Sequence, residues 1–281
     1  MKKYFLFLCF LIVSINLYPA KLFFNLFYSD EITFRDSVDV INYQINLKIG
    51  DYSNQKIEGN TILTLKPVCK SVKSIKLDLL GLEIDSVKCE NFEIEEFYYK
   101  NNIISIKFKE TINQNDTLKI KIVYNGKPKK DNYWGGFYFT KSSSFNMGVG
   151  MYSDPPSFGR TWFPCIDNFK DRATYEYNIT VNEGKKAICS GILTDIKTND
   201  DNTTTFCWKL NQTIPTYLSS VSVGDYTIIN ETITGIENEI PFQYCVFKGN
   251  EEKARKSLVN FEKVLQIFED KFGLYAWSRI G

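Results

Sequence analysis

From residue 39 onward the chain alternates. Tyr43, Ile45, Leu47 and Ile49 fall on one side of an extended backbone, with Asn42, Gln44, Asn46 and Lys48 on the other. Thr61, Leu63 and Leu65 repeat the pattern, as do Ile104, Ile106 and Phe108, then Leu118, Ile120, Ile122 and Tyr124. A period of two means half-buried strands, because successive side chains leave opposite faces of the pleat. Turns rich in Gly, Asn, Asp and Lys separate these runs, with no helical window between them. The spacing therefore predicts antiparallel strands in a curved sheet or β-sandwich. Residues 126–160 interrupt the rhythm with glycines and prolines, and alternation resumes over 174–247. Then the period changes. Ala254, Leu258, Phe261, Leu265, Phe268 and Phe272 are spaced 4-3-4-3-4. That predicts one amphipathic helix over 251–272 with its apolar stripe in a core, Asn250 as N-cap and Gly273 as stop. The expected fold class is mainly β, closed by one amphipathic helix.

Length and composition narrow the choices. The 281 residues suffice for one large domain or two ordinary ones. With 22 Phe and 17 Tyr the composition favours strands. The formal charge of +1 is made of interspersed signs, which gives no reason to expect nucleic acid or an anionic membrane as partner. The chain has no histidine at all. A His-Glu-x-x-His zinc site needs two imidazoles, and serine or cysteine hydrolases of the usual kind need a His base, so neither can be assembled from these residues. The expected catalytic and metal-ligating residues of this chain are none.

Residues 1–20 read as an export signal, with Lys2 and Lys3 at the positive end, an apolar run over 4–17 and a small-residue cleavage site near Ala20. The protein is expected to be periplasmic or secreted, with a retained membrane anchor as the alternative and no membrane contact after cleavage. Residues 21–38 read as a lead-in segment. Outside the signal lie Cys69, Cys89, Cys165, Cys189, Cys207 and Cys245. Export would permit disulfides. If 186–209 is a hairpin around the polar turn at 198–202, Cys189 and Cys207 could face each other and pair; free buried thiols are the competing reading. Asn115, Asn178, Asn202, Asn211 and Asn230 stand in Asn-x-Ser/Thr sequons, which matter only in a eukaryotic secretory path.

The chemistry concentrates at 158–169, where Arg160, Trp162, Phe163, Pro164, Cys165 and Asp167 crowd together. Proline in an aromatic run rules out a regular central strand. One charge of each sign beside Trp and Phe suggests a partly buried ion pair or hydrogen-bond knot, and the plainest role for it is to pin a connection between sheets. The pattern Arg160-x-x-Phe163-Pro164-Cys165-x-Asp167 resembles the A-R-x-x-F-P-C-x-D-E-P signature in the N-terminal domain of the M1 zinc aminopeptidases. The stretch from Tyr217 through Gly224 and Asp225 resembles that family's second N-domain signature, of the type T-Y-L-x-A-F-x-V-G-D-F. The last ten residues are similar to the family segment that leads into the catalytic domain.

The resemblance implies a parent that removes N-terminal residues from peptides, using a zinc-bound water activated by a Glu base. Zinc is then expected in a catalytic domain outside this chain, and no cofactor within it. The implied organisation is an aminopeptidase N-like β-domain over 39–247 and the start of a truncated catalytic domain over 248–281, with the missing domain packing on helix 251–272. The family's cleft-lining stretch matches 126–160. Its amine-holding Gln or Glu falls, by ungapped counting, on Pro155; Asp154 is the nearest carboxylate, and no substrate-binding residue is transferred. Two other readings stay open: a non-enzymatic exported β-sandwich binding proteins or glycans through its Tyr- and Trp-rich loops at 132–162, and an inactive aminopeptidase homologue kept as a scaffold.

Overall fold

The computed structural model describes residues 37–281. The export signal at 1–20 and nearly all of the lead-in at 21–38 lie outside the described residues. Fourteen strands make up the main body. Seven form one large sheet: β1 (Val38–Asp51), β2 (Lys56–Pro67), β4 (Glu83–Cys89), β7 (Leu118–Gly126), β10 (Ala173–Val181), β12 (Ile192–Thr198) and β13 (Thr204–Ile214), in the order β12-β13-β10-β1-β2-β7-β4. Every neighbour pair is antiparallel except β1 and β10, which run parallel from Asn42 beside Thr174 to Ile49 beside Val181.

Two smaller sheets contribute to the same core. One has three strands, β3 (Ser71–Asp78), β6 (Ile103–Asn113) and β5 (Ile94–Lys100). The other has four, β11 (Lys186–Cys189), β14 (Val221–Gly224), β9 (Ser144–Met147) and β8 (Gly136–Phe139). The apolar sides of the alternating runs fill one continuous core, in which Tyr43, Leu63, Ile106 and Tyr124 are fully buried. The opposite face of the large sheet carries an amide ladder. Asn178 donates to Asn46 at 2.8 Å and Asn46 to Asn60 at 2.9 Å, bridging β10, β1 and β2. The Asn178 sequon is thus occupied by sheet contacts.

The last part of the chain forms a second, smaller core. The hairpin β15 (Tyr226–Thr234) and β16 (Glu239–Phe247) is followed by α1 (Glu251–Ser257) and α2 (Phe261–Phe272). Ile233, Ile240, Phe242 and Leu265 are buried together, with Phe261 stacked on Phe242 at 4.8 Å. The expected single helix over 251–272 is two helices. The Ser257 hydroxyl bonds back to the Lys253 carbonyl at 3.0 Å, and a turn through Leu258 and Asn260 separates them. Side-chain competition of this kind weakens the helix ladder. Asn250 is the N-cap of α1 by position, without a side-chain capping bond, and Gly273 stops α2 at φ 94°.

The apolar stripe also departs from expectation. Only Leu265 of its six members is buried, whereas Phe268 and Phe272 face solvent together with Val264 and Ile267. Beside Phe261 and Leu265, the face of α2 turned toward the hairpin carries polar side chains: Glu262 accepts from the Thr234 amide, Gln266 donates to the Thr234 carbonyl, and buried Glu269 accepts from the Ile236 amide at 2.7 Å. The helix docks both through the small apolar cluster around Leu265 and by satisfying backbone groups at the hairpin's end.

The disulfide expectation is corrected too. Cys189 and Cys207 are both free. Cys189 lies on β11 opposite Val221, and Cys207 lies on β13 opposite Asp195. The chain changes sheets at Gly191, whose φ is 91° and whose Cβ would come within 2.2 Å of the Lys209 carbonyl oxygen. The hairpin around 198–202 exists, but it begins after that switch.

Candidate functional site

The segment at 158–169 is a knot between sheets. It opens with a 3-10 turn over Gly159–Thr161. Trp162 and Phe163 then enter the core against an aromatic row: Tyr43 stacks on Tyr175 at 5.3 Å and Tyr175 on Tyr177 at 5.7 Å. Phe163 meets Tyr43 edge-on at 5.4 Å, and Trp162 lies parallel to Tyr177 at 6.4 Å. Each such pair adds about 0.5–1.5 kcal/mol beyond its buried area. After Pro164, Cys165 bridges to Asp78 at the end of β3: the Asp78 amide donates to the Cys165 carbonyl at 2.7 Å, and the Cys165 amide donates back at 3.0 Å. Burial pushes the Cys165 thiol well up, so it is core rather than nucleophile.

Asp167 is the centre of the knot. Its carboxylate accepts from the Thr216 hydroxyl at 2.6 Å and from the Arg160 amide at 3.2 Å. The Arg160 Nε lies 3.8 Å away, a loose ion pair, while Arg160 Nη2 donates to the Pro155 carbonyl at 3.0 Å. Loss of solvent raises the Asp167 pKa, against the lowering effect of the Thr216 hydroxyl and the Arg160 charge. The Asp167 amide donates to the Asp78 carboxylate at 3.0 Å, and the Ser157 hydroxyl donates to the Asp167 carbonyl at 2.9 Å. A second carboxylate, Asp171, accepts from the Val40 amide at 3.3 Å and from the Tyr43 hydroxyl at 3.4 Å; burial raises its pKa to about 7.

The two sequence motifs meet here. Thr216 opens a 3-10 turn over Thr216–Leu218 and donates to Asp167, while the next ring, Tyr217, packs edge-on against Phe169 at 5.1 Å. Gly224 and Asp225 serve a different contact. Asp225 pairs with Lys185 at 3.5 Å, and a Cβ on Gly224 would come within 2.9 Å of the Tyr226 ring. Sequence reasoning missed Asp78, Thr216 and Gly159. The β3 alternation gave no warning of Asp78, which follows Ser74 and Lys76 on the side opposite Ile75 and Leu77 and is nevertheless buried. Thr216 stands at the leading Thr of the second signature, but its closeness to Gly159 exists only in the fold: a Cβ on Gly159 would come within 2.8 Å of the Thr216 Cβ.

A cleft of about 630 Å³ opens beside the knot, lined by Arg160, Ser153, Asp154, Lys76 and Lys100 among others. A larger one, about 810 Å³, lies between the four-stranded sheet and the end of the chain. Arg279 crosses it. Its Nε donates to the Gly191 carbonyl at 2.7 Å, Nη2 to the Cys189 carbonyl at 3.1 Å and Nη1 to Gln243 at 2.8 Å, with the guanidinium 5.1 Å from the Trp208 ring centre. Arg279 therefore joins the main body to the hairpin-and-helix unit.

A β-sandwich whose two motifs are tied by a buried Asp–Thr contact defines a class of domain. Residues 39–218 match the family model of the peptidase M1 N-terminal domain, and the chain belongs to that family. Leucine aminopeptidase 2 of Vanderwaltozyma polyspora is 24% identical over 192 residues, 64% of this chain and 28% of that protein. Transcription initiation factor TFIID subunit 2 of Schizosaccharomyces pombe is 24% identical over 166 residues, 47% of this chain and 14% of that protein. Among solved structures, the M1 zinc metallopeptidase of Deinococcus radiodurans superposes with a TM-score of 0.76 at 18% identity, covering 86% of this chain and 55% of that one. A mutant of that enzyme bound to a Tyr-Ser-Ala substrate matches equally well. The chain thus spans about half the length of these solved structures and less than a third of the curated relatives. At this identity the structural likeness speaks for the fold. The sequence has no histidine, and no group of three or more Cys, Asp or Glu side chains that could hold a metal ion occurs among the described residues.

Proposed function

We propose that this chain is the non-catalytic front part of an exported M1-type zinc aminopeptidase that removes N-terminal residues from peptides. In this reading residues 39–247 supply one wall of the substrate cleft, and residues 248–281 begin the catalytic domain. The zinc ligands and the Glu base come from sequence beyond these residues. The observation that carries the reading is the joining of the two family motifs through Thr216 and Asp167 in a fold shared with a zinc metallopeptidase. The exposed apolar face of α2, with Ile267, Phe268 and Phe272, suits a packing surface for the catalytic domain. The lysine-headed apolar run at 1–20 supports export.

The test is activity in two proteins. The 281-residue chain, with or without zinc, is expected to leave a leucyl-anilide substrate intact. The product of the gene carried through a downstream His-Glu-x-x-His segment is expected to cleave it, to lose activity to a chelator and to regain it with zinc. N-terminal sequencing of exported protein is expected to begin close to residue 21. A second reading, an inactive homologue acting as scaffold, is favoured by the likeness to the transcription-factor subunits. An inactive extended gene product would put that reading first.

A further inference from the structure

The three-stranded sheet has β3 and β5 at its edges, and β5 pairs with β6 alone. A two-residue turn, Asn101 and Asn102 at φ 52° and 63°, joins β5 to β6, with Lys100 and Ile103 as the closing pair. Bonded and non-bonded pairs alternate along an antiparallel ladder. Lys100 and Tyr98 therefore turn their backbone groups to β6, whereas Phe97 and Tyr99 turn theirs to the open side. A register shift between Ile94 and Glu96 ends the regular edge. What remains open is Glu96-Phe97-Tyr98-Tyr99-Lys100. Phe97 shares a side of the pleat with Tyr99, which packs on the core, yet Phe97 is 38% exposed and Tyr98 58%. Open edge strands commonly carry devices against pairing. This one has an acid at one end, a base at the other and three rings between them.

We propose that this edge pairs with the same edge of a second copy of the chain, antiparallel, about a twofold axis at Tyr98. A twofold interface must be complementary to itself, and this strand is. Reversed, it sets Glu96 of one copy opposite Lys100 of the other, Phe97 opposite Tyr99, and Tyr98 opposite its own copy. The outward backbone groups of Phe97 and Tyr99 then meet as bonded pairs, and Tyr98 falls in a close non-bonded pair. Centring the pair on Glu96 instead would set like charges face to face, which is unfavourable. On its own chain Glu96 meets Lys107 at 3.6 Å and the Tyr98 hydroxyl, while Lys100 has no ion pair among the described residues. The lysine charge is thus left for the partner, and pairing covers the exposed side of Phe97. The edge is complete on this chain and does not depend on the zinc aminopeptidase reading.

Sedimentation equilibrium of the whole chain is expected to show a concentration-dependent dimer, because so short an edge buries less than a standard interface. Glu96→Lys and Lys100→Glu each oppose like charges, and each alone is expected to weaken the dimer about tenfold or more. Mixed in equal amounts, the two variants are expected to pair as a heterodimer with wild-type affinity, since each new charge meets its opposite. The register has its own readout. In a Cys69→Ser background, which removes an exposed thiol, Tyr98→Cys is expected to cross-link to its own copy under oxidised glutathione. The two Cα atoms of a non-bonded pair lie about 4.5 Å apart, within disulfide range, whereas Glu96→Cys stands away from its own copy and is expected to stay reduced. Phe272→Ser, which weakens association through α2, is expected to leave this dimer in place. A monomeric wild type, a dimer kept by either charge variant alone, a mixture that does not pair, equal cross-linking at both cysteine positions, or a dimer abolished by Phe272→Ser overturns the proposal.

Discussion

Thr216 and Asp167 lie 49 residues apart and meet at 2.6 Å inside the core. Removing the hydroxyl leaves a buried carboxylate with its best neutral donor gone, which costs about 1–3 kcal/mol. Thr216→Val, nearly isosteric, is therefore expected to lower the melting temperature by several degrees, and thermal denaturation at pH 7 checks it. Asp171 makes the opposite prediction. Its carboxyl titrates near 7 when folded, well above the usual 3.8. Between those values the folded state holds more protons than the unfolded one, so this group's contribution falls as pH rises from about 4 to about 7 and is level above that. Asp171→Asn removes that slope. It is expected to stabilise the protein above pH 7, on the order of 1–3 kcal/mol, and to matter little at pH 4. Denaturant midpoints across the pH range measure the difference. A variant that keeps the wild-type slope would exclude Asp171 as its source.

The strands of the large sheet were legible from their alternation, because one face is buried and the other wet, and the pleat turns that into a period of two. Tyr43, Ile45, Leu47 and Ile49 all point into the core as that rule requires. The helical end was only half legible. Its stripe was real, but periodicity reports an apolar face and not its partner. Here Phe261 and Leu265 reach the hairpin beside Glu269 and Gln266, while Phe268 and Phe272 stay outside. Two substitutions separate the faces. Leu265→Ala, in the small buried cluster, is expected to cost about 2 kcal/mol. Phe272→Ser, 81% exposed, is expected to leave stability within about 0.5 kcal/mol and to reduce self-association of the isolated chain. Denaturant titration and light scattering read the two outcomes. A large loss at Phe272 would mean that the stripe is covered after all.

On the scale of the whole molecule, Arg279 is the joint. It donates to Gly191, Cys189 and Gln243, which belong to the two halves it connects. Arg279→Ala is expected to split one cooperative melt into two, with the hairpin-and-helix unit unfolding first. Scanning calorimetry shows this directly, and a single unshifted transition would mean that other contacts carry the joint. None of this was visible beforehand, because Arg279 meets partners 88 and 90 residues away.

By itself the sequence determined the β class, the core faces of its strands, the two family motifs and the absence of any imidazole chemistry, since all of these are local patterns or plain composition. The tertiary structure decided what joins what. It set β1 parallel to β10 across about 130 residues, placed Cys189 and Cys207 in different sheets, broke the helix at Leu258 and brought Thr216 onto Asp167. Period and propensity act over a few residues, whereas these contacts are fixed by which faces must share a core and which buried polar groups must find partners.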